Sequence, residues 1–252
     1  MFLRVAALAA LLFAPAYTQA PEKTTTPAAL PDAREIINRH VKAIGGRAAV
    51  LAVKSMHSTG TLTVPANGMT GTIELFGSAP NLQVIKITVG GIGEIAEGFD
   101  GSHGWSMNPM LGPTLKVGKE LDQAKLDADF YSELREPAKY PTVKTLDKVT
   151  FDERPCYKVS LTRIDGSTDI DYYDVATGLR AGSENTRETP MGTITQTSIE
   201  GGYKKFGKIV QATTLTTKAM GVEQRISLAT IEYDKVDPGV FEPPAPIKAL
   251  LK

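Results

Sequence analysis

The chain has 252 residues, with 28 basic against 28 acidic side chains, 22% charged and 42% hydrophobic. That is the balance of an ordinary globular protein, with room for one large domain or two small ones. It leaves no surplus of positive charge to hold a nucleic acid or an acidic membrane surface.

Residues 1–20 read as a secretory leader. Arg4 supplies a positive charge, and residues 5–16 form an apolar run shorter than the ~20 residues a membrane span needs. Thr18-Gln19-Ala20 then offers small residues for cleavage. Residues 21–31, rich in Thr, Pro and Ala, read as a disordered linker. Cys156 is the single cysteine. An intramolecular disulfide and a thiolate metal cluster are therefore excluded, and no cysteine follows the leader to take a lipid anchor. Cys156 is expected to pack as a small hydrophobe.

A single domain is expected over residues 32–246. Asp32 can cap a helix, with Glu35 three residues on. Ala33, Ile36, Ile37, His40, Val41 and Ile44 then fall on one helical face, and Gly45-Gly46 ends it. His40 on that face reads as a core histidine with a hydrogen-bond partner. Residues 48–53 can add a further helical turn.

Strands follow at short spacing over residues 56–64, 69–76, 82–89 and 92–99, separated by turns rich in Gly, Pro and Asn. Asp100-Gly101 opens a hairpin into a short strand through Trp105 and Met107, and Asn108-Pro109 and Gly112-Pro113 break the chain. Residues 117–135 read as one helix with two apolar stripes. Leu121, Ala124, Ala128 and Tyr131 make the first, and Leu126, Phe130 and Leu134 the second. Such a helix is either buried between layers or a cover over an apolar cavity.

Strands resume over 143–151, 155–163, 168–174, 179–187, 192–203, 208–218 and 222–233. Residues 247–252 read as a short tail. The pattern is a meander of about a dozen antiparallel strands with two helices, and no βαβ unit. A twisted sheet this wide curls, because open sheets rarely exceed ~10 strands without curling or splitting. Its apolar face then needs the helices as cover, and any space they leave suits a long saturated chain.

Signatures of catalysis and metal binding are sparse. His40, His57 and His103 lack the spacing of a zinc helix. Residues 91–96 imitate a dinucleotide loop but open a strand, so no helix N-terminus faces a phosphate. Asp165, Asp169, Asp171 and Asp174 lack the calcium-loop pattern and read as a solvated face. Glu94, Glu97 and Asp100 could pair as carboxylates of a hydrolase. No metal or cofactor is expected.

Three stretches carry a resemblance: Ala43-Ile44-Gly45-Gly46 ending the first helix, the run FDGSHGWSMNPMLGP at residues 99–113 with its following helix, and residues 201–244. Over about residues 31–244 the chain resembles the LolA/LolB-like superfamily, in its outer-membrane lipoprotein-sorting-like branch. The resemblance implies a mainly β fold, an incomplete antiparallel β-barrel with helical cover over a hydrophobic cavity. It further implies a monomeric, non-catalytic periplasmic carrier of acyl chains from lipids or lipidated proteins, not stably inserted in a membrane. The expected cavity residues are Ile73, Leu75, Ile85, Ile87, Trp105, Met107, Leu121 and Phe130. The rival readings are an envelope protein-interaction module with a filled core, and a carboxylate-dependent hydrolase.

Overall fold

The computed structural model describes residues 29–189 and 192–252. The expected leader and all but the last three residues of the expected linker lie outside the described residues.

Helix α1, Ala33–Ala43, begins where Asp32 accepts from the backbone N–H groups of Arg34 and Glu35. The short helix α2 is Arg47–Ala52. Six strands follow as a meander: β1 Ser55–Val64, β2 Met69–Ser78, β3 Leu82–Val89, β4 Gly93–Phe99, β5 Gly104–Asn108 and β6 Gly112–Lys116. Helix α3, Gly118–Asp127, leads to a 3-10 turn at Ser132–Leu134. Then come β7 Thr142–Phe151, β8 Arg154–Thr162, β9 Thr168–Asp174, β10 Arg180–Thr189, β11 Gly192–Gly201, β12 Lys204–Phe206, β13 Ile209–Gln211, β14 Thr214–Ala219 and β15 Val222–Tyr233. A last helix, α4, is Ala245–Leu250.

Thirteen strands form one curved antiparallel sheet in the order β6-β5-β4-β3-β2-β1-β15-β14-β11-β10-β9-β8-β7. It is not closed into a barrel. Its two edges, β6 and β7, are consecutive in the chain, so the connection through α3 and the 3-10 turn must travel from one edge to the other. It does so across the inner face, with α3 lying on β4–β6 and reaching β10. Helix α1 covers the other flank, where Ile36 and Ile37 pack with Val159, Leu161 and Tyr173. Burial of each such side chain contributes about 1.5–3 kcal/mol.

Several local expectations are revised. The helix expected over residues 117–135 stops at Asp127, because the Phe130 N–H leaves the helical ladder to donate to the Pro80 carbonyl at 3.2 Å. Leu126, on the expected second stripe, is exposed. Gly112-Pro113 does not break the chain but lies in β6, an edge strand, where a missing N–H is tolerated. The strand expected over 208–218 is divided between β13 and β14, because a turn at Gly207 folds β12 and β13 into their own hairpin. The residues expected as a C-terminal tail form α4, whose Ile247 is fully buried beside Trp105 on the outer face of the sheet.

The β12–β13 hairpin tucks under the end of α1. The Val210 N–H donates to the Ile44 carbonyl at 2.9 Å. Gly45 has φ +120°, and a Cβ there would stand 2.2 Å from the Lys208 carbonyl oxygen. Any side chain would push the hairpin away in a backbone region that disfavours L-residues. Gly45→Ala is expected to lower stability by about 1–3 kcal/mol, measured as a fall in the urea midpoint with unchanged slope.

Candidate functional site

Strand pairing fixes which side chains share the inner face. Ile73 and Leu75 of β2 stand opposite Ile87 and Ile85 of β3, and Ile85 in turn opposite Glu97 of β4. On the other side, Ser58 of β1 pairs with Leu75 and with Ile231 of β15, and Leu215 of β14 pairs with Ile226 and Glu200. Between this face and its helical cover lies a cavity of ≈ 380 Å³. Its apolar walls include Leu75, Ile85, Leu215, Ile226 and Leu228 from the sheet, with Ile44 just past the end of α1 and Val50 of α2. The segment after α3 supplies Phe130, whose ring rests on the bare backbone of Gly77.

One end of the cavity is polar. Arg180 donates through Nε to Glu200 Oε1 at 2.8 Å and through Nη2 to Glu133 Oε1 at 2.6 Å. His40 Nε2 lies 3.0 Å from Glu133 Oε2, and Tyr203 donates to Glu200 Oε2 at 2.8 Å. Behind this group, Arg135 grips Asp171 with two hydrogen bonds, at 2.8 and 3.2 Å, and the Tyr173 hydroxyl donates to the same carboxylate at 2.8 Å. Arg34 donates to the Arg135 carbonyl at 2.8 Å and also to that of Tyr140. The Tyr131 hydroxyl donates to the Val53 carbonyl at 3.1 Å. The segment carrying Phe130 and Glu133 is thus tied to α1, α2, β9 and β10.

These pairings set the charges. Burial alone would raise the Glu133 carboxyl, but Arg180 and then His40 overcome it and hold Glu133 well below the usual carboxylate range. Asp171 is also lowered, its burial outweighed by Arg135 and Arg180. Burial would lower the Arg180 guanidinium, yet Glu133 and Glu200 keep it firmly charged. At the apolar end burial pushes the Tyr233 phenol up to about 12, so it remains a donor, and it donates to Gln211 Oε1 at 2.5 Å.

The eight residues expected to line a cavity divide between several places. Leu75, Ile85 and Phe130 line it. Ile73 is buried on the same face, and Ile87 pairs with it, but neither is among the lining residues. Leu121 packs with Phe99, Ala124 and Ala128 under α3. Trp105 and Met107 lie on the outer face with Val84, Ala96, Phe241 and Ile247.

Two of the three carboxylates near the Trp hairpin are engaged elsewhere, and Glu94 is exposed. Asp100 caps the backbone of Ser102 and His103, and Glu97 pairs with Lys116. Of the acidic cluster expected on a solvated face, Asp169 and Asp171 are buried against Arg163 and Arg135. Asp165 and Asp174 cap turns.

A curved, open antiparallel sheet, with helices across its inner face and a cavity beneath them, defines an incomplete β-barrel of the LolA type. Solved structures bear this out at the level of the fold. The chain is similar to a LolA superfamily protein from Nitrosomonas europaea, with TM-score 0.55 and 12% identity over 85% of this chain and 99% of that one. It is similar to a DUF1329 family protein from Desulfovibrio piger, with TM-score 0.57 and 12% identity over 84% and 98%. A domain from Vibrio parahaemolyticus, described as an outer membrane lipoprotein-sorting protein domain, matches with TM-score 0.52 and 12% identity over 86% and 97%. No protein-family model and no curated protein sequence matches the chain.

Proposed function

We propose that this protein is a non-catalytic periplasmic carrier that binds an acyl chain, from a lipid or a lipidated protein, in the cavity beneath the segment that follows α3. The observation that carries the reading is the cavity itself: apolar over most of its wall and covered by a segment held through hydrogen bonds. Its ≈ 380 Å³ lies in the lower part of the range of ligand sites, about 300–1,000 Å³. At about 30 Å³ for a water-sized group it has room for roughly a dozen methylenes. Burying that many yields on the order of 10 kcal/mol before ordering costs. The lipoprotein-sorting domain among the similar folds supports the same reading.

The test is native mass spectrometry of the mature protein purified from a bacterial periplasm, followed by solvent extraction of what it carries. Lipid at close to one molecule per chain is expected. A bare mass, unchanged after incubation with phospholipid and fatty acid, would overturn the reading in favour of an interaction module.

Leu228 faces the cavity from β15. Leu228→Trp would fill the space that a chain needs. Overpacking costs about 1–3 kcal/mol, so the variant is expected to fold, with the same circular dichroism spectrum, and to lose at least tenfold in lipid affinity by calorimetry.

A further inference from the structure

We infer that Arg180 is a specificity residue that donates through Nη1 to the carbonyl oxygen of the bound chain, so that a neutral acyl ester or amide is held more tightly than an alkyl chain without a carbonyl; this rests on the carrier reading above. Arg180 lines the cavity, and its side chain is 13% exposed. A guanidinium carries one N–H on Nε and two on each Nη. Nε donates to Glu200 at 2.8 Å, while Nη2 donates to Glu133 at 2.6 Å and lies 2.7 Å from Glu200. Nη1 meets no acceptor among the described residues, yet it is not one of the unpartnered polar atoms that are sealed from solvent. Its two N–H groups therefore stay open on a side chain that is otherwise fully engaged.

The surroundings decide which acceptor suits. Glu133 and Glu200 both face the Arg180 guanidinium, so what Nη1 lacks is a hydrogen bond and not a counter-charge. A neutral carbonyl oxygen supplies that bond, and a bond to a charged donor is stronger than one between neutral groups. The guanidinium is also fixed before any ligand arrives. Glu133 is held by His40, and Glu200 by Tyr203. Little side-chain freedom is left to lose on binding, which favours affinity. With the tail along Leu75, Ile85 and Leu228, the carbonyl at the end of the chain meets the end of the cavity that holds Arg180. A chain that ends there without a carbonyl covers the Nη1 N–H groups and leaves them unpaired, at a cost in affinity.

The experiment titrates the whole mature protein by calorimetry with three neutral amphiphiles of one tail length, each below its micelle concentration. They are monododecanoylglycerol, an ester as in a glycerolipid; N-dodecanoylglycinamide, an amide as at an acylated N-terminus; and 1-O-dodecylglycerol, which replaces the ester by an ether. The better bound of the two carbonyl compounds is expected to exceed the ether on the order of tenfold, the equivalent of one hydrogen bond to a charged donor. Which of the two leads assigns the source, a glycerolipid or an acylated peptide. Arg180→Lys keeps a charge between the glutamates but lacks the second arm of the guanidinium, and should bring the preference close to one by weakening the carbonyl compound alone. Should that variant not fold, the wild type bound to the ester with a carbon-13 carbonyl gives a second reading: its infrared carbonyl band should lie at lower frequency than in an alkane solvent. Ether binding as tightly as ester and amide, a carbonyl band at its alkane position, or an unchanged preference in a folded Arg180→Lys protein would overturn the role of Arg180 while leaving the carrier reading in place. Failure of all three compounds to bind would overturn both.

Discussion

Asp171→Ala is expected to destabilise the protein by about 3–5 kcal/mol, because it leaves Arg135 buried without its counter-charge. The Asp171 side chain is 1% exposed and that of Arg135 11%. Their paired hydrogen bonds join β9 to the segment that carries Glu133 and Phe130 over the cavity. The same substitution strips the Tyr173 hydroxyl of its acceptor beneath α1. Against a total stability of about 5–15 kcal/mol for a domain, this is a large fraction. Removing both charges, in Asp171→Ala with Arg135→Met, should cost less than Asp171→Ala alone, since no unpaired ion remains. Urea unfolding of the wild type and the variants measures this.

Acid titration gives an independent check of the same contact. The Asp171 pKa is lowered in the folded protein, so its contribution is fully present above the unfolded value of about 3.9 and is lost as pH falls through the lower folded value. Wild-type stability should therefore fall below about pH 4, and the Asp171→Ala profile should be flatter there. An Asp171→Ala variant with wild-type stability and an unchanged acid profile would mean that this pair does not hold the cover in place. If the cover is held as described, the variant should also release bound lipid faster.

The strands and α1 are legible in the sequence because alternation and capping are local. Asp32, the run from Ala33 to Ile44 and Gly45 mark the first helix, and the Gly- and Pro-rich turns mark the hairpins. Leu75 and Ile85 follow from alternation on neighbouring strands, whereas Phe130 reaches the cavity from outside the helix on which its spacing after Leu126 places it. The polar end of the cavity has no such signal. His40, Glu133, Arg180, Glu200 and Tyr203 come from distant parts of the chain, and only the curl of the sheet brings them together. His40 shows the boundary well: its place on an apolar helix face calls for a hydrogen-bond partner, but nothing local names Glu133. The end of α3 is similarly hidden, since the group that draws Phe130 out of the helix is the carbonyl of Pro80.

Trp105 shows how a loop length decides a face. The β2–β3 and β3–β4 loops each have three residues, so odd-numbered side chains stay inward from Ile73 through Ile85 to Phe99. The loop from Asp100 to His103 has four, with Asp100 accepting from the backbone N–H groups of Ser102 and His103. Phe99 then pairs with Gly104, and Trp105 and Met107 turn outward. In a strand one residue of register moves every side chain to the other face.

Trp105→Ala separates the two faces experimentally. The indole lies across Gly98, where a Cβ would come within 2.3 Å of the ring, and α4 closes over it with Ile247. Loss of this side chain should cost about 3–5 kcal/mol, as for other buried aromatic residues. Its buried N–H has no hydrogen-bond partner among the described residues, so Trp105→Phe should cost clearly less than the alanine variant. Trp105 is the only tryptophan, so circular dichroism rather than fluorescence must follow the unfolding. Under conditions where Trp105→Ala is still folded, its affinity for a dodecyl amphiphile should stay within about threefold of wild type, while Leu228→Trp loses at least tenfold at smaller cost in stability. A Trp105→Ala protein that is folded yet unable to bind would place the ligand on the outer face under α4. Binding retained there and lost in Leu228→Trp assigns it to the inner cavity, with Trp105 serving only to fasten the C-terminal helix.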